Sequence, residues 1–153
     1  MKITFTGEPA KIEAIMSTNV ATVNIDDNLH LVRDIFHKLS YHHLVVVDCD
    51  RLAGVISDRD FLKAVSPNLD TQKETLVDQA SLNKKVSQIM TKTVVAVNKD
   101  LQILTASKLM LSKGVSCLPI ATEDKKVIGI VTLKDVLKYY IDNDQSDLLT
   151  NRI

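Results

Sequence analysis

Two stretches hold the residues best suited to chemistry: GVISDRDFL at 54–62 and GIVTLKDVL at 129–137. Each runs Gly, two aliphatics, a hydroxyl residue, two further positions, Asp and then apolar side chains. Each also sets a cation just before the acid, Arg59 before Asp60 and Lys134 before Asp135. Where a strand gives way to a helix, Ser57-x-x-Asp60 and Thr132-x-x-Asp135 read as capping boxes that satisfy orphan backbone N–H groups. The same atoms suit a ligand. A hydroxyl beside helix-terminal amides fits a phosphate. Arg59 and Lys134 sit where the helix dipole disfavours a cation by about 0.3–1 kcal/mol, a cost that a phosphate would reverse and that Asp58 already offsets in the first copy. Asp60 and Asp135 can each accept from two hydroxyls, as a ribose diol presents them. A base would need a dry slot edged by backbone polar groups, and the extended pieces Val20 to Val23 and Val94 to Val97 are placed to provide it. Simple capping and plain core strand remain the alternative readings of these residues.

The two corners belong to a duplication. Ile15-Met16 aligns with Ile89-Met90, Val23-Asn24 with Val97-Asn98, Asp26 with Asp100 and Leu44 with Leu118 at constant spacing. One residue is gained in the polar turn TEDKK relative to DCDR, after which Gly54 meets Gly129, Ser57 meets Thr132 and Asp60 meets Asp135. Each copy predicts a short helical opening (KIEAIM; KKVSQIM), an extended piece (VATVNI; VVAVNK) and an amphipathic helix. Leu31, Val32, Ile35, Phe36 and Leu39 mark the apolar face of that helix in the first copy; Leu104, Leu109, Met110 and Leu111 mark it in the second. Two strands joined by a tight turn follow, and then a closing helix, DRDFLKAV or LKDVLKYYI. The fold class is mixed α/β (α+β): two β-α-β-β-α repeats with pseudo-twofold symmetry. Repeat 1 spans 10–66, a polar linker 67–83 (helical around Glu74 to Ala80), repeat 2 84–142 and a polar tail 143–153. A unit of about 60 residues buries too little surface to stand alone, so the two are expected to pack as one body.

Composition narrows the function. The chain has 153 residues, 45% of them hydrophobic, with 19 basic and 19 acidic side chains and a formal charge of zero. No broad field draws it to nucleic acid or acidic lipid, and only 4% of its residues are aromatic. Its aliphatic runs are too short to span a bilayer, and MKITFTGEP lacks the apolar core of a signal peptide. Cys49 and Cys117 have neither metal-ligand spacing nor scaffold density, so a reduced, cytoplasmic protein is expected. All four histidines, His30, His37, His42 and His43, fall close together, but without Cys or carboxylate partners at metal-binding spacing. No nucleophile–base pair and no Gly-rich phosphate loop is present, which argues against an enzyme.

The duplicated unit, its Met-Ser/Thr opening, the LVV or LPI strand and the Gly-h-h-Ser/Thr-x-x-Asp corner resemble the tandem cystathionine-β-synthase (CBS) domain pair, or Bateman module, over about residues 11–142. The resemblance implies a cleft between repeats that binds adenosine-containing ligands (AMP, ADP, ATP or S-adenosylmethionine). Asp60 and Asp135 would then engage ribose. Ser57, Arg59, Thr132 and Lys134 would lie near phosphate, and Val20, Ala21, Thr22, Val94, Val95, Ala96 and Pro119 would line the base pocket. HHLVVVD at 42–48 is similar to the His-Arg-Leu-Val/Pro-Val stretch of the AMP-activated protein kinase gamma subunit, which makes His42 and His43 phosphate contacts; surface histidines before a buried strand is the other reading. Ser116 and Cys117 replace them in repeat 2, so two unequal sites are expected, the His-bearing one richer in phosphate-binding groups. The function implied is regulatory: an adenine nucleotide, with or without Mg²⁺, as ligand and no required cofactor. The repeats leave no residues for a catalytic domain, so the output would pass to an effector protein. A homodimer is expected, with Phe61, Leu62, Val65, Val136, Leu137 and Tyr140 as its candidate faces or as internal core. S-adenosylmethionine binding and a ligand-free structural dimerisation module are the competing functions.

Overall fold

The computed structural model describes residues 9–144. Of the polar tail, only residues 143 and 144 fall within them. After a 3₁₀ turn at Ile12–Ala14 come β1 (Thr22–Asn24), α1 (Leu29–Lys38), β2 (His43–Asp48), β3 (Arg51–Ser57) and α2 (Asp58–Ala64). The linker forms α3 (Leu76–Ala80) and a second 3₁₀ turn at Ser81–Asn83. Repeat 2 supplies α4 (Val86–Ile89), α5 (Ile103–Lys113), β4 (Cys117–Ala121), β5 (Val127–Thr132) and α6 (Leu133–Asp142). The sheets are small: β1-β2-β3, with β1 parallel to β2, and the antiparallel pair β4-β5.

Each sheet is one wall of a separate core, and each core borrows from the other repeat. Val23, Leu29, Val32, Leu44, Val46, Ile56 and Phe61 of repeat 1 close around Leu82 and Val86, which come from the linker and from the opening of repeat 2. Conversely, Ile12 from the opening of repeat 1 is fully buried among Ala106, Met110, Leu118, Ile120, Val131 and Val136. Backbone bonds hold the exchange in register. Ile12 N donates to Leu101 O at 2.8 Å, and Val86 N donates to Asp27 O at 2.8 Å. Beside them lie the equivalent ion pairs Lys11–Asp100 and Lys85–Asp26, both at 2.9 Å. All four charges are largely solvent-exposed, so these pairs set register more than stability.

The exchange also explains the glycine that starts each repeated corner. Thr91, just past Met90, exchanges backbone bonds with Val55 of β3 (2.9 and 3.1 Å), while Ser17, just past Met16, does the same with Ile130 of β5 (2.9 and 3.0 Å). Gly54 and Gly129 lie directly under these crossings. A Cβ on Gly54 would stand 2.8 Å from Met90 Sδ and 2.8 Å from Thr91 O; one on Gly129 would meet Met16 Sδ at 2.7 Å and Ser17 O at 3.2 Å.

Three expectations are corrected by the structure. VVAVNK does not form a strand: Val97 makes a single parallel bridge to Ile120, and the second sheet keeps two strands. Pro119 stands where repeat 1 has Val45, whose N–H bonds Ala21 O at 3.0 Å; proline has no such donor. On α1, Leu31 and Leu39 are exposed, and the buried stripe is Leu29 and Val32, with Ile35 and Phe36 packed beside it. On α5, Leu104 and Leu111 face solvent while Ile103, Ala106 and Met110 are buried. With 3.6 residues per turn, Leu104 and Leu111 share a stripe one residue off the core-facing one.

Replacing Gly54 with Ala should destabilise the chain by about 1–3 kcal/mol in urea unfolding, the usual cost of overpacking. Gly129→Ala should cost less, because its nearest atom is a movable Met16 sulfur and the backbone oxygen is farther away.

Candidate functional site

A cavity of about 480 Å³ opens between the repeats. Repeat 1 contributes His42, His43, Val55, Ser57, Asp58, Arg59 and Asp60, and repeat 2 contributes two stretches, Thr91 to Val95 and Gly114 to Pro119, by way of Thr91, Thr93, Val94, Val95, Gly114, Val115, Ser116, Cys117 and Pro119. Thr91 therefore serves both the crossing strand and the cavity wall.

At the corner, Ser57 caps α2. Its Oγ accepts from Asp60 N at 3.1 Å, and Asp60 Oδ2 accepts both Ser57 N and Ser57 Oγ at 2.9 Å. Asp60 Oδ1 has no hydrogen-bond partner among the described residues, so half of the carboxylate remains available at the cavity. The Arg59 guanidinium is exposed and makes no ion pair among the described residues. The corner at Thr132 repeats the geometry: Asp135 Oδ2 accepts Thr132 N at 2.8 Å and Thr132 Oγ1 at 2.7 Å.

The histidines are anchored differently. His42 Nδ1 lies 2.8 Å from Asp58 Oδ2, and this bond is the main reason the Asp58 carboxyl is held below its ordinary range. His43 Nε2 lies 3.0 Å from Ser116 Oγ, a bond across the two repeats. Burial pushes the His43 imidazole below its ordinary value of 6.5, against the opposing pull of Asp58 and Asp60 and with a small like-charge push from His42. On the far wall, Pro119, Val115, Val94 and Val95 make an apolar slot. Because Pro119 cannot donate, the C=O of Val95 lacks the partner that Ala21 O has in Val45, and the Val95 N–H also has none among the described residues. Cys117 is buried there, and burial raises its thiol to about 11, so it is an apolar wall atom and not a nucleophile.

Of the residues expected at a site, Ser57, Arg59, Asp60, His42, His43, Val94, Val95 and Pro119 surround this one cavity. Ala96 turns away from it and lines a neighbouring cavity with Leu52, Lys92 and Glu123. Thr132, Lys134, Asp135, Val20, Ala21 and Thr22 do not line it. They occupy the equivalent positions about the pseudo-twofold axis, and Thr22 and its neighbours are engaged in β1. Asp58, Thr91, Thr93 and the Gly114–Ser116 stretch line the cavity but were not expected. The duplication could have indicated the last of these, since Ser116 aligns with His42. His30 and His37 lie on α1 and do not line the cavity; no metal-binding group of His, Cys, Asp and Glu occurs among the described residues. No helix among them is long and apolar enough to cross a membrane.

Two cross-braced α+β units with a capped acid corner at a shared cleft define a tandem CBS-domain architecture. The CBS domain family model matches residues 12–67 and 86–142, and the chain belongs to that family. A CBS domain-containing protein of Dictyostelium discoideum is 34% identical over 132 residues, 85% of this chain and 90% of that protein. An inosine-5′-monophosphate dehydrogenase of Methanocaldococcus jannaschii is 33% identical over 129 residues, covering 84% of this chain but only 23% of the enzyme. Among solved structures, the cytosolic domain of the Mg²⁺ channel MgtE in complex with ATP matches with a TM-score of 0.68 at 25% identity, over 86% of this chain and 49% of that one. The CBS domain pair of protein MJ0100, in complex with 5′-methylthioadenosine and S-adenosyl-L-methionine, has the same fold: TM-score 0.73 at 23% identity, over 88% and 98% of the two chains.

The depressed His43 pKa has a signed consequence. Between its folded value and 6.5 the unfolded chain binds more protons than the folded one, so stability is present above that window and lost as pH falls through it. Asp58, His42 and Asp60 face His43, and Asp58 adds a separate loss at more acid pH, below the ordinary carboxylate value of 3.8. Urea unfolding between about pH 7 and 5 should show stability falling with acid, and His43→Gln should flatten the upper part of that fall.

Proposed function

We propose that this chain is a non-catalytic regulatory module that binds an adenosine-containing ligand, an adenine nucleotide or a relative of it, in the cleft between its repeats. The observation that carries the reading is the coexistence, in one cavity, of a capped Asp60 with an uncommitted oxygen and an apolar slot edged by the unpaired Val95 amide groups. Asp60 Oδ1 is suited to a ribose diol, and the Val95 N–H and C=O to the edge of a purine. Val94, Val115 and Pro119 provide the dry faces. Ser57, Arg59 and His43 lie on the side where a 5′ substituent would extend, and Mg²⁺ would accompany a polyphosphate. The ATP complex of the MgtE cytosolic domain, at 25% identity, supports this ligand class.

Binding would favour the arrangement in which Val55, Thr91 and Ser116 close on the ligand, and it shifts the molecule only as far as the two arrangements differ in affinity. The exposed stripe Leu133, Leu137 and Ile141 on α6, with Leu62 on α2, is our proposed contact to a second copy of the chain, which would pass the state onward to an effector. Phe61 and Val136 are core residues and Val65 and Tyr140 pack against core, so of the expected face only Leu62 and Leu137 remain, and the exposed Leu133 and Ile141 are added to them.

Calorimetry and thermal shift with adenosine, AMP, ATP and S-adenosylmethionine test the ligand reading. At least one should bind and raise Tm by mass action. Asp60→Ala should weaken it at least tenfold, about 1.4 kcal/mol. No shift with millimolar ligand would leave a structural module instead. Leu137→Asp should convert a dimer to monomer in sedimentation; an unchanged mass would remove the proposed face.

A further inference from the structure

The first turn of α2 has no amide to offer an anion. Asp58 N donates to His42 O at 3.0 Å, Arg59 N to Asp58 Oδ1 at 2.7 Å and Asp60 N to Ser57 Oγ at 3.1 Å. The other Asp58 oxygen holds His42 Nδ1 at 2.8 Å. One carboxylate thus takes up an amide and one of the two ring nitrogens of His42, donors that a phosphate could use. This differs from the phosphate-rich site expected of the His-bearing corner, and the cause is Asp58.

The equivalent corner in repeat 2 isolates what Asp58 adds. Leu133 occupies the matching position, its N–H donating to Ser116 O at 2.8 Å just as Asp58 N donates to His42 O. The capping box forms there as well, so the turn does not require an acid at this place. Lys134 N, the counterpart of Arg59 N, has no partner among the described residues. Asp58 therefore contributes charge, not fold. Asp58 and Asp60 face the cavity, and among the described residues Arg59 is the one permanently cationic side chain lining it. Burial keeps the His43 imidazole toward its neutral form.

We infer that Asp58 is a charge filter: it makes this cleft select adenosine ligands whose 5′ substituent is neutral or positively charged over those carrying a polyphosphate. The inference rests on the adenosine-binding reading and names the ligand class within it. Like charge disfavours the polyphosphate directly, and the Arg59 amide and His42 Nδ1, both held by Asp58, are two donors no longer there to compensate. A neutral thioether or a cationic sulfonium at the same place meets no such opposition.

Isothermal calorimetry without Mg²⁺, using adenosine, S-adenosylmethionine and ATP on the intact chain, tests this. In the parent protein, adenosine and S-adenosylmethionine should each bind at least tenfold tighter than ATP. In Asp58→Asn, which keeps an acceptor for the Arg59 amide, that ratio should shrink at least tenfold. Asp58→Glu, which retains the charge, should keep the preference. ATP binding as tightly as adenosine in the parent, or an unchanged ratio in Asp58→Asn, overturns the filter while leaving the adenosine site intact. No binding by any of the three overturns both.

Discussion

The structure depends on one reciprocal contact, in which the bridging residue after each Met lies across the glycine of the other repeat. Met90 and Thr91 rest on Gly54, and Met16 and Ser17 rest on Gly129. A Cβ at Gly54 would collide with Met90 Sδ and Thr91 O, and one at Gly129 with the more yielding Met16 Sδ, so the contact is close in both repeats. It carries the opening segments into the opposite cores, so Ile12 is buried against β4 and β5, and Leu82 and Val86 against α1 and β3. Neither repeat encloses its own core, which resolves the difficulty that a unit of about 60 residues has in stabilising itself.

The same contact ties the cleft to the cores. Thr91 is bonded to Val55 on both sides of its peptide and also lines the cavity; Ser116, beside it, bonds His43 across the repeats. No polar or charged residue is buried among the described residues, and the ion pairs are exposed. Cohesion therefore comes from aliphatic packing, and polar groups with directional demands gather at the cleft. A molecule seated there would touch Thr91 and Val55, the two residues of one crossing.

Much of this was legible in the sequence, because duplication states its own alignment. The paired corners, the hairpin with its insertion at TEDKK and the element order, apart from the strand expected at VVAVNK, needed only residue spacing, and so did the grouping of Ser57, Arg59 and Asp60. What escaped is three-dimensional. That KIEAIM would serve the second core and KKVSQIM the first cannot be read from either repeat alone, since both openings are equally apolar. Leu104 and Leu111 looked like core by hydropathy, yet the helix turns Ile103, Ala106 and Met110 inward. Asp58 read as a helix-dipole adjustment, and only the 2.7 and 2.8 Å bonds show it holding both an amide and His42.

Pro119 shows how one substitution makes the two extended pieces of a duplication unequal. In repeat 1, Val45 donates to Ala21 and the extended piece zips into β1, consuming its backbone groups in a ladder. In repeat 2 the same position cannot donate, the ladder shrinks to the Val97–Ile120 bridge, and the Val95 carbonyl is left without a partner at a cavity. Unpaired amides away from bulk water cost stability unless something satisfies them. That cost is one a chain can carry where water or a guest completes the bonds. A single imino acid thus leaves this wall open at the Val95 carbonyl. The open wall faces the corner bearing Asp58, so the two departures from symmetry act on the same cleft.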